Sequence, residues 1–213
     1  MAYNRDTTID TLRGLAIFTM VAANMATEVF AEPHPFWLRA YGSFAAPLFI
    51  LLAGMMVVFT SQSKGHGFKY FLARGAMVIT VGALIDVLIW KVYPFTAFDV
   101  LYLIGISIPI AYLFIGLNTL SRWGIIFLIF LATPLMQHIF GYSEYPTEVY
   151  LWGEEVVSVT SQTGILNHWM VDGWFPLFPW LGFSLLWVNL ALLRWKSQSY
   201  NIFGKNAAFL TQI

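Results

Sequence analysis

The sequence predicts an all-α protein, a polytopic transmembrane helical bundle of about six spans plus a long outer loop, and three observations predict it. Composition is the first. Of the 213 residues, 59% are hydrophobic and 10% charged, against roughly 45–50% and about 25% in soluble domains, and the mean hydropathy is +0.70. The second is run length: the apolar stretches extend over about 18–20 residues, enough to cross a hydrocarbon core as a helix. A barrel would show alternating segments of about ten residues instead. The third is the sorting of basic residues between the two sides of the spans, taken up below.

The first span, 11–31, follows Asp6 and Asp10, acids that spoil a cleavable leader, so a retained helix is expected. At about 100° per residue, Asp10, Arg13, Ile17, Met20, Asn24 and Glu28 share one stripe of it, with Ala16 and Thr27 at the edges. Charge facing lipid is costly, so the stripe is expected to face the bundle. Asp10 and Arg13, three apart, read equally well as a local ion pair that anchors the helix start. Asn24 reads as either a helix-packing amide or a cavity residue. His34 stands between Pro33 and Pro35 just past the outer end, and an imidazole that titrates near neutrality suits a general base or an acyl relay.

The second span, 43–61, carries Pro47, a proline expected to kink the helix. A turn through Gly65-His66-Gly67 then leads into Phe68–Arg74, read as an amphipathic lead-in to span three, 74–91. Arg74 opens that span as an interface anchor or as a ligand for a phosphate-bearing donor. Asp86 in span three and Asp99 at the head of span four, 100–117, come near the outer level of Glu28, and intramembrane carboxylates are functional candidates by default. Span five is 123–140. The loop Gly141–Gly173 follows, without Lys or Arg and with Trp152, His168, Trp169 and Asp172. It reads as a functional segment or as a solvated acidic cap. Span six, 174–193, opens on Phe175-Pro176-Leu177-Phe178-Pro179-Trp180.

With these spans, Arg5, Arg13, Lys64, Lys69, Arg74, Arg122, Arg194, Lys196 and Lys205 lie on one side and only Arg39 and Lys91 on the other. That asymmetry places both termini in the cytoplasm. Most of the acids fall at the opposite, outer end. The chain reads as a single domain, 1–213. It has no cysteine, so thiolate chemistry is excluded, and it has no phosphate-binding glycine loop, HExxH pair or Gly-x-Ser-x-Gly elbow. No metal site and no nucleic-acid partner are expected.

Arg5-x-x-x-Ile9-Asp10-x-x-Arg13-Gly14-Leu15-Ala16-Ile17, then Asn24, His34 and Pro47-Leu48-Phe49 with Leu52-x-Gly54, resembles the catalytic domain of heparan-alpha-glucosaminide N-acetyltransferase and its bacterial relatives in the transmembrane acyltransferase superfamily. Leu72-x-Arg74-Gly75, Phe98-Asp99-Val100-Leu101-x-x-Ile104-Gly105 and Phe175-Pro176-Leu177-Phe178-Pro179-Trp180-Leu181-Gly182 continue the resemblance in the same order. It implies transfer of an acyl group from cytoplasmic acetyl-CoA, as acyl donor, to an amine or hydroxyl of a sugar or envelope glycan beyond the membrane, with His34 catalytic and Asn24 its polar partner. Asp10, Arg13 and Arg74 then stand on the acyl-CoA side, and Glu28, Asp86, Asp99, His168 and Asp172 form the outer vestibule. The membrane is expected to be a bacterial inner membrane. Relatives continue through further helices after a segment like Phe203-Gly204-Lys205-Asn206-Ala207, so a short form, a fragment or a homo-oligomer is expected. Two other classes compete: a proton-coupled transporter relaying through Glu28, Asp86 and Asp99, and a non-catalytic membrane subunit.

Overall fold

The computed structural model describes residues 7–29, 35–142, 151 and 165–199. Outside its turns and connections this part of the chain is helical, with no β-strand among the described residues. Packing divides the protein into two compact units, Met1–Ala53 and Gly54–Ile213.

In the first unit, α1 (Thr7–Val29) carries Asp10 in its first turn, where a negative charge favours the helix dipole. Asp10 Oδ1 lies 3.5 Å from Arg13 Nη1, so the local ion pair is present. The residues of α1 that are covered are Ile9, Ala16 and Thr19, whereas Ile17, Met20 and Asn24 are exposed. The covered stripe is therefore displaced by about one residue step, some 100°, from the polar stripe expected to face inward. The cause is visible at α2 (Phe36–Gly42), a seven-residue helix begun after Pro35. Gly42 approaches Ala23, and Thr19 Oγ1 donates to Tyr41 Oη at 3.1 Å, so small and hydroxyl-bearing residues make the contact.

A turn at Ser43 and Phe44 leads to α3 (Ala45–Lys64). Pro47 falls in its first turn, where the missing N–H costs little, and the break between α2 and α3 at residues 43–44 lies just before it.

In the second unit, α4 (Phe68–Ile85) runs without interruption through Arg74. The expected interfacial lead-in is thus the first part of the same helix. α4 continues into a π-helical turn, Asp86–Trp90, which ends on Lys91 in the left-handed region. α5 (Val100–Ile115) begins at Asp99, whose Oδ1 accepts from Val100 N at 2.6 Å. α6 (Thr119–Phe140) begins at Asn118, whose Oδ1 accepts from Ser121 N at 2.8 Å, and stops at Gly141 with φ +77°. A single turn, α7 (Ile165–Asn167), passes into a second π-helical turn, His168–Asp172, before α8 (Leu177–Ser199). α5 packs against α4 on one side and α8 on the other, and α8 also packs on α6.

Small residues set these crossings. A methyl on Gly105 would lie 2.8 Å from Gly75 O, one on Gly54 3.0 Å from Ser184 O, and one on Gly182 3.1 Å from Phe130 Cζ. Close backbone approach of this kind holds helices together where lipid supplies no hydrophobic drive.

Four helical stretches are long and apolar enough to cross a membrane: Phe36–Ser63, Phe68–Trp90, Thr119–Phe140 and Leu177–Arg194. α5 is apolar but shorter, about 24 Å at 1.5 Å per residue. α1 coincides with the first expected span, but Asp10, Arg13, Asn24 and several threonines make it more polar than the four.

Candidate functional site

The second unit gathers its buried polar groups where the connection 91–99 meets the segment 167–175. Tyr102, on the first turn of α5, is 0% exposed, and Asp86, at the head of the first π-helical turn, is 4% exposed. The Tyr102 hydroxyl donates to Asp86 Oδ2 and accepts from Phe95 N at 3.2 Å. A buried phenol needs such partners, because an unmade hydrogen bond in an apolar interior costs about 1–3 kcal/mol.

The connection is held in conformations that ordinary residues avoid. Lys91, Phe95 and Phe98 have φ of 58°, 71° and 44°, each costing on the order of 1–3 kcal/mol. Surrounding bonds hold the last two in place. Trp169 Nε1 donates to Phe95 O at 2.9 Å, Phe175 N to Phe98 O at 3.1 Å and Trp174 N to Ala97 O at 3.1 Å. Gly173 lets the two segments meet, since a methyl there would stand 2.7 Å from Phe98 Cβ and 3.0 Å from Ala97 O. Phe95, Phe98, Tyr102 and Trp169 form one aromatic cluster, with Phe98 and Trp169 centroids 4.8 Å apart.

The second π-helical turn carries a further polar pair. His168 Nδ1 stands 3.5 Å from Asp172 Oδ2, with His168 5% and Asp172 2% exposed. Its flanks are pinned on both sides: Asn167 Nδ2 donates to Phe140 O at 2.6 Å and to Gly141 O at 3.2 Å, while Trp169 holds Phe95. Among the residues singled out from the sequence, Asp86, Asp99, His168 and Asp172 are thus brought to one end of the second unit. Asp99 serves there as the N-cap of α5. None of the four is open surface, and Asp86, His168 and Asp172 are enclosed.

The other singled-out residues are distributed differently. Arg74 is exposed on α4, its Nη1 donating to Tyr70 Oη at 3.2 Å. The ring of Tyr70 stacks on His66, with centroids 4.0 Å apart. Asp10 and Arg13 pair with each other, and Asn24 lies on the exposed side of α1. His34 lies outside the described residues, as does the side chain of Glu28. Tyr102 was missed: it occupied an unassigned position of the Phe98–Gly105 pattern. The signal available was a hydroxyl in the first turn of a helix without charged residues, three residues from one acid and sixteen from another.

Described residues that are helical outside their connections, four membrane-length helical stretches and small-residue crossings define an integral membrane protein. The family model described as heparan-alpha-glucosaminide N-acetyltransferase, catalytic, matches residues 5–211. The chain belongs to that family, which makes it a membrane acyltransferase-type enzyme. No curated protein and no solved structure matches the chain.

Proposed function

We propose that the protein moves an acetyl or other acyl group from cytoplasmic acyl-CoA to an amine or hydroxyl of a sugar or envelope glycan on the outer face of a bacterial inner membrane. The observation that carries this reading is the family match over nearly the whole chain. Both termini are cytoplasmic, as the basic residues of the connections suggest. The nucleotide end of acetyl-CoA is held on the basic side, to which Asp10, Arg13 and Arg74 belong. The acceptor meets the acidic and aromatic outer end to which Glu28, Asp86, Asp99, His168 and Asp172 belong.

His34 is the catalytic residue: it deprotonates the acceptor, and Asn24 orients its ring or stabilises the oxyanion of the tetrahedral intermediate. The resemblance of the first block, from Arg5 to His34, supports these two roles. Purified protein supplied with labelled acetyl-CoA and a pool of glycan acceptors tests them. Label should pass to the acceptor with native protein and not with His34→Ala, and undiminished transfer by the variant would remove His34 from the mechanism.

A further inference from the structure

At the start of α4, His66, Tyr70 and Arg74 make a ladder of contacts that acyl transfer leaves without a role beyond the charge of Arg74. The ring of His66 lies against that of Tyr70 with planes 16° from parallel. Phe71 braces Tyr70 edge-on at 5.3 Å and itself stacks on Tyr112 of α5 at 4.7 Å. The phenol is thereby fixed in place, and Arg74 Nη1 donates to its oxygen at 3.2 Å. Because that oxygen accepts the bond, the phenolic proton stays available for a second acceptor, and the guanidinium keeps the rest of its fork.

Charge around this ladder is unbalanced. Between Glu32 and Asp86 the sequence holds no acid, and Asp86 stands about 18 Å along the helix from Arg74 at 1.5 Å per residue. Among the described residues no carboxylate pairs with Arg74 or Lys69. Arg74 also lies within the membrane-length stretch Phe68–Trp90. Met77 and Val81, which follow it on the same side of α4, are 61% and 45% exposed, so that side faces lipid. The Arg74 side chain reaches one turn back toward the helix start, the direction in which a lipid-facing arginine brings its charge to headgroup level.

We propose that Arg74 and Tyr70 form a site for the phosphate of an anionic phospholipid in the leaflet where α4 begins. The guanidinium fork takes two phosphate oxygens, and the Tyr70 hydroxyl donates to one of them. Coenzyme A offers phosphate of the same chemistry. A lipid, however, carries its phosphate at the level of Arg74 and lays its chains along Met77 and Val81, so the lipid is the occupant. An anionic headgroup is favoured over a zwitterionic one, because it supplies the negative charge that this stretch of sequence lacks. The site stands on the membrane character of the chain and is independent of acyl transfer.

The chain has no cysteine, so Met77→Cys gives a single attachment point for a bimane fluorophore, about 4.5 Å deeper than Arg74. The labelled protein is placed in phosphatidylcholine vesicles doped with a small fraction of phosphatidylglycerol or phosphatidylcholine that bears a nitroxide quencher near the top of one chain. Local quenching should report phosphatidylglycerol at about fivefold the occupancy of phosphatidylcholine, the scale of one basic side chain at a lipid surface. Arg74→Gln should abolish that preference and Tyr70→Phe should lower it. Lys69→Gln, which alters an exposed cation on another side of α4, should retain it. Equal quenching by the two lipids while Arg74 is in place overturns the proposal, whether or not the further variants fold. A loss as large with Lys69→Gln as with Arg74→Gln would mean diffuse attraction to a basic surface and overturns the site. Relief of the phosphatidylglycerol quenching by coenzyme A, supplied on both sides of the membrane, would assign the phosphate to the coenzyme and overturn the lipid as occupant.

Discussion

Tyr102 of α5 donates its phenolic proton to Asp86 of the π-helical turn after α4, and the same oxygen accepts from Phe95 N. One hydroxyl therefore joins two neighbouring helices to the connection between them. Two of the three left-handed residues in that connection, Phe95 and Phe98, are held by bonds with Tyr102, Trp169 and Phe175. Tyr102→Phe should lower stability by about 1–3 kcal/mol, since it removes a donor from a buried carboxyl group and an acceptor from Phe95 N. Thermal unfolding in detergent measures it. Asp86→Asn keeps an acceptor oxygen at the site and should cost less than Tyr102→Phe; an equal or larger cost would show that the charge of Asp86 matters more than its bond to Tyr102.

The crossing of α4 and α5 turns on Gly75 and Gly105, each placed where a methyl would press on the backbone of the other. Gly105→Ala should destabilise by about 1–3 kcal/mol through overpacking against Gly75 O and Ile79. The two glycines share one contact, so the double variant Gly75→Ala with Gly105→Ala should cost less than the sum of the singles. A double-mutant cycle on unfolding midpoints reads the coupling. Strict additivity would show that the helices part enough to treat each methyl separately.

These contacts explain why some of the molecule was legible in its sequence and some was not. Each long apolar run became a helix, because chain inside lipid must satisfy its own backbone groups and only length and hydropathy are needed to see it. Four of the family-pattern glycines, at 54, 75, 105 and 182, were visible as isolated letters. What they do is pairwise, Gly75 with Gly105 and Gly182 with Phe130, and pairing across helices leaves no local mark. The inward face of α1 was misplaced for the same reason. Polarity favoured the Asp10–Asn24 stripe, but shape decided, since Thr19 and Ala23 are small enough for the unforeseen α2 to approach. Among the vestibule acids, enclosure was not readable: Asp86 is covered because Tyr102 reaches it, and Tyr102 carries no pattern of its own.

Trp169 is the link between the two halves of the enclosed end, through its Nε1 bond to Phe95 O and its contacts with Phe98 and Tyr102. Trp169→Phe keeps most of the aromatic surface and deletes the donor. The expected cost is about 0.5–1.5 kcal/mol of global stability, together with faster amide exchange at residues 95–98, whose left-handed geometry the bond helps to hold. Unchanged exchange in that segment would show that Phe175 and Trp174 suffice to fix it.

Asp99 separates two roles that the sequence had merged. Its side chain caps α5 by accepting from Val100 N at 2.6 Å, and its charge was expected to contribute to an acidic vestibule. Asp99→Asn retains a capping oxygen and should leave stability nearly unchanged, because asparagine and aspartate cap about equally well, whereas Asp99→Ala should cost about 0.5–2 kcal/mol. Acyl transfer measured on the same two proteins then assigns the residue. If Asp99 acts only as a cap, the asparagine variant transfers like the unaltered protein and the alanine variant loses rate only as far as it loses fold. If the carboxylate acts on the acceptor, the asparagine variant loses transfer while its unfolding midpoint stays in place, and the loss appears in the acceptor KM before it appears in kcat, since a group that holds the ground state and the transition state equally well alters binding alone.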